Sequence, residues 1–153
     1  MPTRQETIRG VFGSTLARAA RQWRRSVDQG LRPYGLTEAT WLPLLRVSRS
    51  PKPMRQKELA ASLSLDSSAV VRLLDCLEKA GLLERREDDT DRRAKTIVLT
   101  PDGQATVAQV EAVARQVREA ALAELSDAEI ETTFRVLEHI CNVLSPACEE
   151  AAK

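Results

Sequence analysis

Two groups of polar residues in this chain have the types and placement to grip a phosphate polymer and read its bases. Ser67, Ser68 and Arg72 lie off the apolar stripe of a helix that opens at Asp66, on its N-terminal half. That half is the part that reaches base edges when a helix enters a major groove. The second group is the loop Glu87 to Lys95, where Asp88, Asp89 and Asp91 alternate with Arg92, Arg93 and Lys95. A purely basic loop would be a plain phosphate patch; interleaved acids imply that some arginines are held in place by carboxylates. Upstream, Arg55 and Lys57 add cations suited to phosphate contact, as do Arg92 and Lys95 in the loop.

Other chemistries find little support. No nucleophile–base pair or phosphate-cradling loop is recognisable, and with His139 as the single histidine, acid–base catalysis has few candidates. Cys76, Cys141 and Cys148 follow neither metal-ligand nor disulfide-framework spacing. No catalytic residue, metal ligand or cofactor is assigned. The expected environment is the cytoplasm: the odd cysteine count fits a reducing compartment. The first residues lack an apolar signal region, and no apolar run approaches the ~20 residues that span a bilayer.

The polar groups need elements to position them. Apolar residues Ile8, Phe12, Leu16, Trp23 and Val27 recur at helical spacing, so residues 6–30 form a first helix, broken by Pro33-Tyr34-Gly35. Its other face carries Arg18, Arg21, Arg24 and Arg25. Thr37 caps a second helix over about 38–49, with Pro43 as a source of kinking. Pro51 and Pro53 make the following segment a loop. A short helix over about 55–63 and the one opened by Asp66 form a helix-turn-helix. In the latter, Val70, Leu73, Leu74 and Leu77 form the buried stripe, Cys76 sits at its edge as a packing residue, and Gly81 ends it. Two apolar runs flanking the charged loop make a hairpin over about 82–99.

Thr100-Pro101-Asp102 then starts a helix to about Leu125. Val107, Val110, Ala114, Val117 and Ala121 keep nearly heptad spacing along it. Ser126 to Glu129 is a capping box for a last helix whose apolar face is Ile130, Phe134, Leu137, Ile140, Cys141 and Leu144; Pro146 ends it. Such narrow seams suit a second copy of the chain better than a closed monomer core, the alternative being that both helices pack on the first.

Formal net charge is only +1, but it is unevenly placed. Residues 1–100 hold 19 Lys/Arg against 12 Asp/Glu, and residues 101–153 hold 4 against 10. A basic body with an acidic C-terminal third is the asymmetry of a chain with one phosphate-facing surface.

Asp91-x-Arg93, followed after five residues by Leu99-Thr100, resembles the wing signature of the MarR family of transcriptional regulators. Leu77-Glu78-Lys79-x-Gly81-Leu82 before it and Thr100-Pro101-Asp102-Gly103 after it support the resemblance. Within the family, Arg21-x-Trp23-Arg24, Leu36-Thr37 with Trp41, Val71-Arg72-x-Leu74-Asp75 and Asp91 to Lys95 are similar to the SlyA-like branch. The resemblance implies a mainly α (α+β) fold: a winged helix-turn-helix with a two-stranded wing. Residues 36–100 would be the DNA-binding lobe, and 1–35 and 101–153 the dimerisation helices, in one continuous domain.

It also implies a homodimer on a pseudo-palindromic double-stranded DNA operator, acting as a repressor. Ser67, Ser68 and Arg72 then correspond to base-reading positions. Arg93 becomes the wing arginine of the minor groove, and Asp91 the acid that orients it. Arg18, Thr37 and Trp41 match positions beside a cavity for a small aromatic or phenolic carboxylate. The family's reactive cysteine near the start of the first helix has no counterpart. Alternatives of the same fold are a redox-responsive or ligand-independent, nucleoid-type regulator; a more distant one is a winged helix that binds protein.

Overall fold

The computed structural model describes Met1 and residues 3–145 of the chain. Pro146 and Cys148 lie outside the described residues. Thr3 opens α1 (Arg4–Leu31) with a reciprocal box: the Glu6 N–H donates to Thr3 Oγ1 at 3.2 Å and the Thr3 N–H to Glu6 Oε2 at 2.6 Å. The chain then turns through Arg32–Tyr34 and left-handed Gly35 into α2 (Glu38–Arg49). Thr37 occupies the cap position of α2, but its side chain makes no capping hydrogen bond. Pro43 is buried inside the helix.

The segment after α2 holds an element the sequence did not announce. β1 (Met54–Arg55) pairs antiparallel with β3 (Lys95–Leu99), which also pairs with β2 (Leu83–Glu87). The wing hairpin is therefore part of a three-stranded sheet in the order β1-β3-β2 rather than a free two-stranded ribbon. α3 (Gln56–Ser62) follows β1 directly, and the turn to α4 (Ser67–Lys79) passes through Ser64 at φ +53°. The N–H groups of Ser64 and Leu65 donate to the carbonyls of Ala61 and Ala60, which satisfies the end of α3 and sets the helix-turn-helix angle.

Packing divides the chain into two compact units, Met1–Val117 and Arg118–Lys153. In the first, Leu31, Leu44, Leu59, Val70, Leu74, Leu83 and Val110 are the fully buried centre. The end of α1, the helix-turn-helix, the sheet and the start of α5 (Pro101–Leu122) thus share one core. The expected heptad seam of α5 is not uniform. Val107 and Val110 are buried with Val113 in this core, whereas Ala121 is exposed. Helical periodicity against the lobe decides burial here, and α5 comes so close to α1 that a methyl added at Gly30 would lie 2.5 Å from Val113 Cγ1.

Large apolar residues remain uncovered. Ile8, Val11, Phe12 and Trp23 of α1 are exposed. In the second unit, α6 (Asp127–Val143) opens with the expected Ser126–Glu129 box and buries none of its residues; Phe134 is 60% exposed.

Candidate nucleic-acid interface

Recognition begins with how α4 starts. Asp66 Oδ1 accepts the Ala69 N–H at 2.7 Å and the Ser68 hydroxyl at 2.8 Å, and these bonds hold its carboxyl below the ordinary carboxylate range. Ser68 has thereby committed its proton. It can offer a base only lone pairs, so its partner must be an amine donor. Ser67, Ser68, Val71 and Arg72 line one shallow open depression on α4. The opposite face buries Val70, Leu74 and Leu77, with Leu73 half-buried at the rim. Cys76, expected to pack at that rim, is exposed. The buried stripe is narrower than its spacing from Leu73 and Ala80 implied, and Ala80 is itself exposed.

The hairpin loop is organised by an acid other than the one expected. Asp88 Oδ1 accepts from the Thr90 N–H at 2.8 Å, the Thr90 hydroxyl at 2.6 Å and the Asp91 N–H at 3.2 Å. Its Oδ2 accepts from Arg55 Nε at 3.0 Å and pairs with Arg55 Nη2 at 3.0 Å. The Thr90 bonds, with help from Arg55, hold Asp88 far below the ordinary carboxylate range. Asp91 does steer Arg93, but through the backbone: the Arg93 N–H donates to Asp91 Oδ1 at 3.0 Å. No ion pair joins the two side chains among the described residues. Asp91 therefore shapes the turn and leaves the guanidinium free to extend.

This sorts the cations. Arg55 is tied to Asp88 and only about a third exposed, so it braces the wing tip instead of standing ready for phosphate. Arg85, which sequence reasoning passed over, is the most engaged. Its Nη2 reaches Asp75 Oδ1 at 2.5 Å and Glu78 Oε2 at 2.6 Å, and its backbone N–H donates to Glu78 Oε1 at 3.1 Å. The Arg85 bonds hold Glu78 below its ordinary range, and the two acids raise Arg85. Arg86 pairs with Glu84. Lys57, Arg72, Arg92, Arg93 and Lys95 are exposed and make no ion pair among the described residues.

A helix-turn-helix with its open polar face beside a wing of unpaired arginines is the architecture of one group of regulators, and the comparisons agree. The MarR family model matches residues 36–95. The crystal structure of the transcriptional regulator PA3341 is 40% identical, with 87% of this chain and 97% of that one covered at a TM-score of 0.81. This chain belongs to the MarR family. MarR-family transcriptional regulators are non-enzymatic DNA-binding proteins. CouR from Rhodococcus jostii RHA1, bound to p-coumaroyl-CoA, is 27% identical over 84% of this chain and 90% of that one, TM-score 0.74. The S. aureus MepR–DNA complex shares the fold at 21% identity over 88% and 96%, TM-score 0.75. SlyA shares it at 23% identity over 92% and 98%, TM-score 0.76.

The three residues expected beside a ligand are not gathered within one chain of this MarR-family protein. Trp41 is buried and its Nε1 donates to Asp28 Oδ1 at 3.4 Å. Thr37 is exposed at the start of α2. Arg18 is exposed on α1, ten residues before Asp28, or about 15 Å along the helix axis. Among the described residues no helix is long and apolar enough to cross a membrane, and no group of three or more His, Cys, Asp or Glu could hold a metal ion.

Proposed function

We propose that this MarR-family protein is a homodimeric repressor that binds a pseudo-palindromic DNA operator and releases it when a small aromatic acid binds. The observation that carries the DNA reading is the sorting of charge. The acids around the recognition helix and wing are engaged by Arg55 and Arg85, while Arg72, Arg92, Arg93, Lys57 and Lys95 stay exposed and unpaired. Arg72 and the two serines read base edges in the major groove; Arg93, extended from its turn, reads a narrow minor groove. The uncovered apolar residues of α1 and α6 support assembly of two copies through residues 1–35 and 101–153. A two-fold pair sets two recognition helices about 34 Å apart, one helical turn of DNA.

The DNA reading is tested with a duplex selected from a random pool by the purified protein. Arg72→Ala and Arg93→Ala are each expected to weaken binding at least ten-fold with the dimer intact. Affinity equal to wild type in both variants refutes it.

The effector site rests on Thr37 and Trp41; Arg18 can serve a ligand there only from a second copy, given the distance along α1. CouR with p-coumaroyl-CoA supports an aromatic acyl compound as the ligand class. A ligand releases DNA only by favouring a spacing of the two lobes that no longer fits the groove repeat, and a hundred-fold loss takes about 2.7 kcal/mol of coupling. Salicylate and p-coumarate are titrated into a Trp23→Phe variant, which leaves Trp41 as the sole indole. A change in its emission together with weaker duplex binding is expected; no change in either removes this effector class. One observation favours redox control as a second reading: Cys76 is exposed on the recognition helix itself. Peroxide treatment that abolishes DNA binding in wild type but not in Cys76→Ser would support it.

A further inference from the structure

We propose that Arg85, without touching DNA, is the positioning residue that fixes the roll of the recognition helix against the wing, so that base discrimination by α4 depends on it. The inference deepens the DNA-binding reading and rests on it.

The core alone does not set that roll tightly. α4 is seated by Val70, Leu74 and Leu77, and apolar burial is non-directional. A roll of about 10° keeps such a stripe covered, yet it carries the tip of a long side chain roughly 1.5 Å sideways, since that tip stands about 9 Å from the helix axis. Hydrogen bonds to base edges do not survive such a shift.

Arg85 supplies the direction. Asp75 and Glu78 stand three residues apart on α4, and the guanidinium bridges them from β2, with Nε reaching Glu78 Oε2 at 3.2 Å besides the Nη2 contacts. The Arg85 backbone N–H holds the other Glu78 oxygen, so strand and side chain grip one carboxylate together. The Arg85 side chain is only 20% exposed. Three residues further on, Asp88 begins the turn that carries Arg92 and Arg93. Helix and wing are therefore referenced to one point. The same contacts neutralise two carboxylates that would otherwise repel phosphate beside Arg72.

The experiment compares affinity for the duplex selected by wild type with affinity for a duplex of scrambled half-sites, each over a range of salt. Arg85→Ala is expected to lower the ratio of the two affinities about ten-fold while leaving the salt slope unchanged. Asp75→Asn/Glu78→Gln should lower the ratio as well, while strengthening binding to the scrambled duplex. A wild-type ratio in Arg85→Ala overturns the proposal. So does a slope shallower by about one, whatever the ratio, because that is the mark of a lost phosphate contact. Should Arg85→Ala not fold, Arg85→Lys takes its place: it keeps the charge but loses the fork, and the same two results decide. A wild-type protein that selects no duplex overturns the DNA reading itself, an outcome distinct from an unchanged ratio.

Discussion

Gly103 sits where α5 leaves the wing, and replacing it with alanine should loosen that junction. A methyl group there would lie 1.8 Å from the carbonyl oxygen of Leu82 and 2.9 Å from its carbon. Both are backbone atoms, so no side chain can turn aside. Relief requires α5 and the start of the hairpin to part by more than 1 Å, on the order of a van der Waals overlap. That movement strains the bonds which close the junction. The Thr100 N–H donates to Leu82 O at 3.2 Å, the Thr100 hydroxyl to Gly81 O at 2.6 Å, and the Gly103 N–H to Thr100 Oγ1 at 3.1 Å.

Overpacking costs about 1–3 kcal/mol and a weakened hydrogen bond about 1 more, so Gly103→Ala should destabilise by about 2–4 kcal/mol. At roughly 2–4 °C per kcal/mol for a chain of this size, the melting temperature should fall by roughly 5–15 °C. The assay is thermal and urea unfolding followed by circular dichroism, at one fixed protein concentration because a dimer melts concentration-dependently. Gly10→Ala is the control. Its methyl meets nothing within 4 Å on α1, and alanine favours a helix over glycine by about 0.5–1 kcal/mol. Equal stability of Gly103→Ala and wild type would refute the packing described at this junction.

Acid should weaken the fold in a definite window. Asp66, Glu78 and Asp88 all titrate below their ordinary values of 3.8, 4.5 and 3.8, so the unfolded chain binds protons first as pH falls. Their contribution is complete above about pH 4.5 and is lost as pH drops through the depressed native values. The urea midpoint should hold steady from pH 6 to 5, then fall toward pH 3, less steeply in Asp88→Asn; a midpoint unchanged at pH 3 contradicts this. Separately, the exposure of Cys76 predicts that a Cys141→Ser/Cys148→Ser variant still reacts with a thiol reagent under native conditions at one sulfur per chain. A thiol that reacts only after unfolding would restore the packed cysteine.

Much of the fold was legible because it is punctuated locally. Asp66 and Ser126 cap helices through their own side chains, and Pro33 to Gly35 break one, so the bounds of α2, α4 and α6 fell within a residue or two of expectation. Thr37 shows the limit: its position was legible, its bonding was not. β1 left no pattern because two residues cannot show a period; the strand exists only through Met54 and Arg55 pairing with Ile97 and Thr96. The pairing of Arg55 with Asp88, 33 residues away, was invisible for the same reason. Glu78 and Arg85 lie only seven apart across a turn marked by left-handed Gly81. There the signal was present, a carboxylate and a guanidinium flanking a helix stop, and what was lacking was the knowledge that the turn brings strand back against helix.

Charge counting treats every arginine alike, and the geometry does not; the difference has a measurable consequence. Residues 36–100 carry the cations on which DNA binding was expected to depend, among them Arg55. With Arg55 and Arg85 held by carboxylates, Lys57, Arg72, Arg92, Arg93 and Lys95 remain to displace counterions. Five such cations per copy make ten in a dimer, and at about 0.9 per neutralised phosphate the slope of log affinity against log salt can be no steeper than about −9. Contacts made to bases alone bring it below that ceiling. Were Arg55 and Arg85 to let go of their acids and reach phosphate, four more contacts would carry the limit toward about −13. A slope steeper than −10, measured on the selected duplex from 50 to 300 mM salt, would therefore mean that the clasps seen here open on DNA, and that wing and recognition helix are rebuilt by binding instead of being held ready for it.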